Sequence, residues 1–217
     1  MANPTVVLIT GVSIGLGNVL AAAAYLLRPD HTVIGSVRDA RAPSVQELTK
    51  LRTAEGSRLV LDIEGAGLDH IDIVISSAAI SHPPAPLDAL DTELMVEAFR
   101  INAIAPVLLF QAVHKLLAKS SAPKWISVSS RPGSIAQPAD FYWYIGPYAI
   151  SKAAQNWFTS TINTAVAPLT AFAIHPGKPP TTAQESTAKI MEVIDAATLE
   201  KTAGKFIGVM TGEEYLW

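Results

Sequence analysis

The sequence predicts an α/β domain built on a doubly wound parallel sheet, and three observations carry that prediction. Apolar runs of strand length alternate with longer helical patterns from residue 5 to residue 209. Those runs show little apolar–polar alternation, as strands covered on both faces require. A glycine-rich stretch, TGVSIGLG, follows the first run at once and leads into the first helical pattern.

The elements follow in order. TVVLIT (5–10) is a strand, and a helix from about Leu16 to Leu27 stops at RPDH. TVIGSV (32–37) is the second strand, followed by a helix across SVQELTKL. RLVLDI (58–63) and IDIVISSA (71–78) come next, then a long helical stretch from about Asp88 to Ala118. KWISVSS (124–130), a helix from about Pro147 to Ala165, LTAFAIH (169–175), a helix near 183–198 and a short KFIGV complete the chain. Such a succession packs as a parallel sheet with helices on both faces. One connection is irregular, because only seven residues, EGAGLDH, join the third and fourth strands. A parallel crossover ordinarily takes a dozen or more residues, helix included. In a sheet ordered 3-2-1-4 this loop must cross beneath the sheet without its helix.

Composition narrows the function. The chain has 217 residues, 49% hydrophobic and 16% charged, enough for one core and short for two α/β domains. A single domain over 1–217 is expected. The net charge of −3 gives no electrostatic basis for binding nucleic acid or an anionic membrane. Cysteine is absent, which excludes disulfides and thiolate metal sites, and the five histidines show no metal-ligand spacing. MANPTVVLITG lacks the basic and long apolar regions of a secretory signal. No apolar run reaches the roughly 18 residues of a membrane span. A soluble cytoplasmic protein without a metal is expected.

TGVSIGLG places Gly11, Gly15 and Gly17 between a strand and a helix. One glycine makes the turn, another lets backbone approach a pyrophosphate, and a third packs helix on strand. The helix N-terminus then offers free N–H groups and a positive dipole end to phosphates. This is a Rossmann-type dinucleotide site. The second strand ends GSVRD, where an acidic residue suits a ribose diol and an arginine suits a 2′-phosphate. Arg38 precedes Asp39, which favours NADP(H). Asp62, at the end of the third strand, is placed to reach the adenine edge.

PYAISK puts Tyr148 and Lys152 one helical turn apart on one face. A phenol with a pKa of about 10 is a poor acid–base at neutral pH, and a neighbouring ammonium lowers it. The spacing alone is weak, since surface pairs match it by chance. SVSS (127–130) supplies hydroxyls at a strand end, where doubly wound sheets bind ligands. Asn102, in FRINAIAPVLLF, is an amide out of place in an apolar helix; it is either an anchor beside the lysine or a satisfied core amide.

With these residues the chain resembles the short-chain dehydrogenases/reductases nearly end to end. TGVSIGLG matches the family's TGxxxGxG loop, Asn102 its helix asparagine, and PYAISKAA its YxxxK segment. HPGKPPT (175–181) matches the loop that embraces the nicotinamide half. SSRPGSI and GKFIGVMTGEEYLW are most similar to fungal ketoreductases of the norsolorinic-acid-reductase and sniffer-like type. The resemblance implies an NADPH-dependent carbonyl reductase acting on polyketide or aromatic ketones. Tyr148 would donate the proton, Lys152 would bind the nicotinamide ribose and depress the tyrosine pKa, and Ser130 would hold the carbonyl. Asn102 would support a proton-relay water. The cofactor set would comprise Gly11, Ser13, Ile14, Gly15, Gly17, Arg38, Asp62, Ile63, Ala78, Tyr148, Lys152, Pro176, Gly177 and Thr181. Ser134 competes with Ser130 by spacing, and the strand-end position favours Ser130. Phe141, Tyr142, Trp143 and Tyr144 form either a stacking wall for a flat substrate or a packing contact.

Three departures qualify the match. The family's Asn-Asn-Ala-Gly is here SSAA (76–79), so Ala79 adds a methyl where backbone passes close to cofactor. The crossover after Asp62 lacks its helix, and only TAQEST separates Thr181 from the next helix, which shortens the substrate lid. An open lid excludes water poorly. A second reading is therefore non-redox chemistry in the same pocket: isomerisation, cyclisation or dehydration of a biosynthetic intermediate. A third is a nucleotide-sensing or assembly protein with vestigial catalysis. The helices around 88–118 and 147–165 are apolar over more than one stripe, which predicts a homodimer or homotetramer.

Overall fold

The computed structural model describes residues 4–61, 66–136, 146–166, 168–178 and 180–217. Its centre is one eight-stranded sheet, ordered β3-β2-β1-β4-β5-β6-β7-β8. The strands are β1 (Thr5–Thr10), β2 (His31–Ser36), β3 (Arg58–Val60), β4 (Ile73–Ser76), β5 (Lys124–Val128), β6 (Thr170–His175), β7 (Phe206–Gly208) and β8 (Glu214–Tyr215). The first seven run parallel and β8 pairs antiparallel with β7. The chain is thus a single-domain α/β protein of Rossmann type, as predicted, and the order 3-2-1-4 holds. The sequence reading missed β8, a two-residue strand too short to carry a periodicity.

Alternate residues of β1 explain the double winding. Val7 and Ile9 join one core with Leu20, Tyr25, Ile190 and Ile194, while Val6 and Leu8 join the opposite core with Val113, Leu117, Trp125 and Ile162. Both faces are dry, so the strands are apolar throughout. Phe110, Trp125 and Phe158 meet edge to face in the second core, at centroid distances of 5.5–6.1 Å.

The helices are α1 (Gly15–Val19, continuing in wider π-helical turns over Leu20–Tyr25), α2 (Pro43–Thr49), α3 (Thr92–Phe99), α4 (Ala105–Leu117), α5 (Gly146–Ala165), α6 (Ala183–Ala196) and α7 (Leu199–Thr202). A π-helical segment, Arg100–Ile104, links α3 to α4. The stretch expected to be helical from Asp88 starts instead at Thr92. Asp91 accepts the N–H groups of Glu93 and Leu94 and so caps α3. The continuous run Thr92–Leu117 is long and apolar enough to cross a membrane by length and composition, contrary to the sequence reading. Here it lies within the fold, with α3 packed on α5. Among the described residues between β3 and β4 there is no α-helix, so the crossover is the compressed one expected.

Candidate active site

A cleft of about 570 Å³ opens at the carboxyl ends of β1, β2, β4 and β5, where a doubly wound sheet changes direction. Its walls include Gly11, Ser13, Ile14, Gly15 and Gly17 from the glycine turn. Gly11 has φ +76°, and a Cβ there would stand 3.0 Å from the Ala78 Cα. A Cβ on Gly17 would sit 2.6 Å from the Gly11 carbonyl oxygen, so helix and turn close only over hydrogen. Ile14, the N-cap of α1, makes no side-chain cap bond, which leaves the first N–H groups of the helix for a ligand. These features fit a dinucleotide pyrophosphate.

Arg38 lines the same cleft and is exposed. The carboxylate of Asp39 is turned to Arg41, accepting its backbone N–H at 2.9 Å and its Nε at 3.4 Å. The acidic group is therefore engaged and a guanidinium stands at the rim, an arrangement suited to a 2′-phosphate. Ser36, missed in the sequence, also lines the cleft and accepts the Gly11 N–H through Oγ at 3.2 Å. Asp62, Ile63 and the aromatic run Phe141–Tyr144 lie outside the described residues.

The loop after β4 forms the floor. Thr10 Oγ1 accepts the N–H groups of Ser77 and Ala78 at 2.9 Å each, fixing one end. Asn102 fixes the other: its Oδ1 accepts the Ile80 N–H, and its Nδ2 donates to the Ile80 carbonyl and to Ser151 Oγ, all at 2.9 Å. The amide is fully buried in the π-helical segment. The two readings open in the sequence meet here: the amide is satisfied within the core, and the backbone that it anchors is that of Ile80. Both amide N–H donors are spent on protein oxygens, so the side chain fixes the loop after β4. Ala79 is exposed and lines the cleft.

Tyr148 and Lys152 project from the first turns of α5 into the cleft, together with Ser129 and Pro176. Burial raises the Tyr148 pKa above its usual value, and a hydrogen bond with the Ser130 side chain pulls it partly back. Lys152 is 1% exposed, and its Nζ donates to the Val128 carbonyl and to Gln155 Oε1, both at 2.8 Å. It lies 5.7 Å from the centre of the Tyr148 ring. Burial alone pushes the Lys152 pKa down to about 7. The expected depression of the tyrosine by the lysine is therefore corrected. The ammonium is turned to two oxygens behind it, and desolvation governs the phenol.

Geometry also separates the serines. Ser134 is buried and donates to the Leu216 carbonyl at 2.7 Å, and Ser129 donates to Asn156 Oδ1 at 2.5 Å. Ser130, half-buried just past β5, is the one whose hydroxyl meets Tyr148. Gly177 and Thr181 do not line the main cleft; with Leu16 and Pro176 they shape an adjoining hollow of about 230 Å³. The helix α6 starts at Ala183, two residues after Thr181, so the substrate lid is short as expected. Gln155 was missed altogether, although its place three residues after Lys152 on one helix face was a readable signal.

A nucleotide cleft at the switch point of a Rossmann-type sheet, with a tyrosine and lysine one turn apart at its mouth, defines a nicotinamide-dependent oxidoreductase class. Within it the chain belongs to the short-chain dehydrogenase family, whose description matches residues 5–191. It is 38% identical to the short-chain dehydrogenase srdF of Neurospora crassa, covering 100% of this chain and 99% of that one. It is 30% identical to a norsolorinic acid ketoreductase of Aspergillus parasiticus, covering 98% and 91%. The solved structure of an NADPH-bound carbonyl reductase from chicken fatty liver superimposes over the whole of both chains, with TM-score 0.82 and 24% identity.

Proposed function

We propose that this chain is an NADPH-dependent carbonyl reductase acting on a small aromatic or polyketide-like ketone. The observation that carries the reading is the shared cleft: the Tyr148 phenol, hydrogen-bonded by Ser130, opens into the hollow bounded by the glycine turn and Arg38. Support also comes from the names of relatives, among them norsolorinic acid ketoreductases. Bound NADPH supplies the hydride. Tyr148 holds the proton that the carbonyl oxygen takes: burial keeps the phenol protonated, and the Ser130 hydrogen bond offsets part of the rise that would weaken it as an acid. Ser130 hydrogen-bonds that oxygen and orients the substrate. Lys152 reaches the ribose side of the cleft and, with a pKa near 7, is the adjacent group able to return a proton to the phenolate. Gly11, Gly15, Gly17, Arg38, Gly177 and Thr181 hold the cofactor. A homodimer or homotetramer and a cytoplasmic location go with this reading.

The test is oxidation of NADPH and NADH with a panel of aryl ketones and quinones. NADPH is expected to be preferred, and Tyr148→Phe is expected to lower kcat by roughly 10²–10⁴-fold with cofactor affinity nearly unchanged. A variant that kept its rate would remove Tyr148 as the acid. Tight NADPH binding with no carbonyl turned over would move the assignment to the non-redox reading, which the short lid favours.

A further inference from the structure

The buried polar residues behind the cleft include one amide that the proposed reaction does not use. Gln155 is fully buried on the sheet-facing side of α5, one turn beyond Lys152. Its Oε1 accepts the Lys152 Nζ at 2.8 Å, while its Nε2 is buried with no hydrogen-bond partner among the described residues. A leucine or methionine would fill this place without stranding a donor, so packing alone does not account for an amide here. The half that is satisfied is the half that touches the lysine. An ammonium has three donors and no acceptor, which requires the oxygen of the amide to face it.

We propose that Gln155 is a positioning residue of the reduction site: its amide oxygen clamps the Lys152 ammonium against the Val128 carbonyl, leaving one N–H for the cleft. The inference rests on the carbonyl-reductase reading for its catalytic consequence, and on the Gln155–Lys152–Val128 geometry for the clamp itself. Two of the three Lys152 protons are spent on these oxygens, at equal distances of 2.8 Å. The chain of contacts continues behind the clamp. Thr159 Oγ1 donates to the Gln155 backbone carbonyl at 2.8 Å and lies 2.7 Å from Ser127 Oγ, which ties this turn of α5 to β5. The titratable group facing Lys152 on its own helix is Tyr148. From β5 it meets the uncharged Val128 carbonyl. From the turn after β5 it meets Gly133, where a Cβ would stand 2.8 Å from the lysine Cβ. Arg131 of that turn lies over the Tyr215 ring, 5.1 Å from its centre. Among the described residues, Gln155 Oε1 is the side-chain oxygen that accepts from the Lys152 Nζ, at 2.8 Å.

The test uses the full chain carrying Gln155→Met, with Gln155→Leu as a second variant should the first be unstable, and Gln155→Glu, which keeps an oxygen in place. The first readout needs no substrate: the titration of Lys152 in cofactor-free protein, followed by NMR of ε-13C-lysine and assigned with Lys152→Met. Loss of the acceptor is expected to move that titration to lower pH, and Gln155→Glu to move it higher than in the parent. The second readout is NADPH-driven ketone reduction. At pH 7, kcat/KM is expected to fall about tenfold in Gln155→Met, with NADPH affinity within about threefold, and to recover in Gln155→Glu; a tenfold loss corresponds to 1.4 kcal/mol. Unchanged Lys152 titration in the Met and Leu variants overturns the clamp. A shifted titration with kcat/KM at pH 7 unchanged overturns its catalytic role. A parent that binds NADPH yet reduces no ketone overturns the reductase reading, while the NMR result still decides the clamp.

Discussion

His175 ends β6 with its Nδ1 accepting the Arg131 backbone N–H at 3.3 Å, which joins the cofactor-side loop to the turn that follows Ser130. Burial, and then the charges of Arg131 and Lys178, push its pKa down to about 4. The unfolded chain binds that proton near 6.5, so between about pH 6.5 and 4 the unfolded state holds more protons than the folded one. Stability is therefore expected to fall as pH drops through that window, by on the order of 3 kcal/mol from this group. Asp195, whose pKa is lowered by its Arg28 partner, acts only below the ordinary carboxylate range and does not blur the window. His175→Asn keeps an acceptor and removes the titration. Urea midpoints from pH 7 to 4 should then run flatter than in the parent, and a parallel acid limb would place the loss elsewhere.

At the scale of elements, the cap of α6 stands where short-chain dehydrogenases carry a longer substrate lid, the shortening expected from the sequence. Thr182 and Glu185 form a reciprocal capping box: the Glu185 N–H reaches Thr182 Oγ1 at 3.2 Å, and Glu185 Oε2 accepts the Thr182 N–H at 2.8 Å. Ser186, on the first turn, donates to the Pro176 carbonyl at 2.6 Å and so ties this helix start to the cofactor-side loop. Thr182→Ala is expected to lower the melting midpoint by about 2–4 °C, read by calorimetry. Much of this level was legible beforehand. Seven strands follow from apolar runs, and the short joins on either side of Asp62 and Thr181 follow from counting residues. The start of the long helix was misplaced because Asp91 reads as one more polar position until its cap bonds are seen. The site was legible to the same depth. Gly11, Tyr148 and Lys152 declare themselves by spacing, whereas the partners of Lys152 depend on which oxygens the fold brings behind it. Ser130 and Ser134 were set against each other by strand-end position and by spacing, and what separates them is long-range: the Ser130 hydroxyl meets Tyr148, while Ser134 is spent on the Leu216 carbonyl, 82 residues away.

For the molecule as a whole, apolar surface is distributed unevenly in a way that its own core does not explain. The sheet is dry on both faces, yet Val96, Ile104 and Leu108 on the α3–α4 run are 53%, 48% and 58% exposed, and Trp157 on α5 is 69% exposed. Thr92, Met95 and Phe99 border a nearly apolar groove on the same run. Scattered apolar residues are ordinary on a surface, but several on helices packed together mark an interface. A second copy of the chain is the occupant proposed here, because a face used by both partners across a twofold axis must match itself, and apolar rows do so without needing charge pairs. The run Thr92–Leu117 is apolar enough to cross a membrane by length and composition partly because of these exposed apolar residues, which share its surface with Glu93, Glu97, Arg100 and Lys115. Light scattering of the parent is expected to report a dimer or tetramer, and Leu108→Glu combined with Trp157→Glu to report a monomer with an unchanged far-ultraviolet spectrum. The site is formed within one chain, so the monomer should retain NADPH binding. A parent that runs as a monomer at micromolar concentration would leave those rows without a partner copy and withdraw the assembly from the proposal.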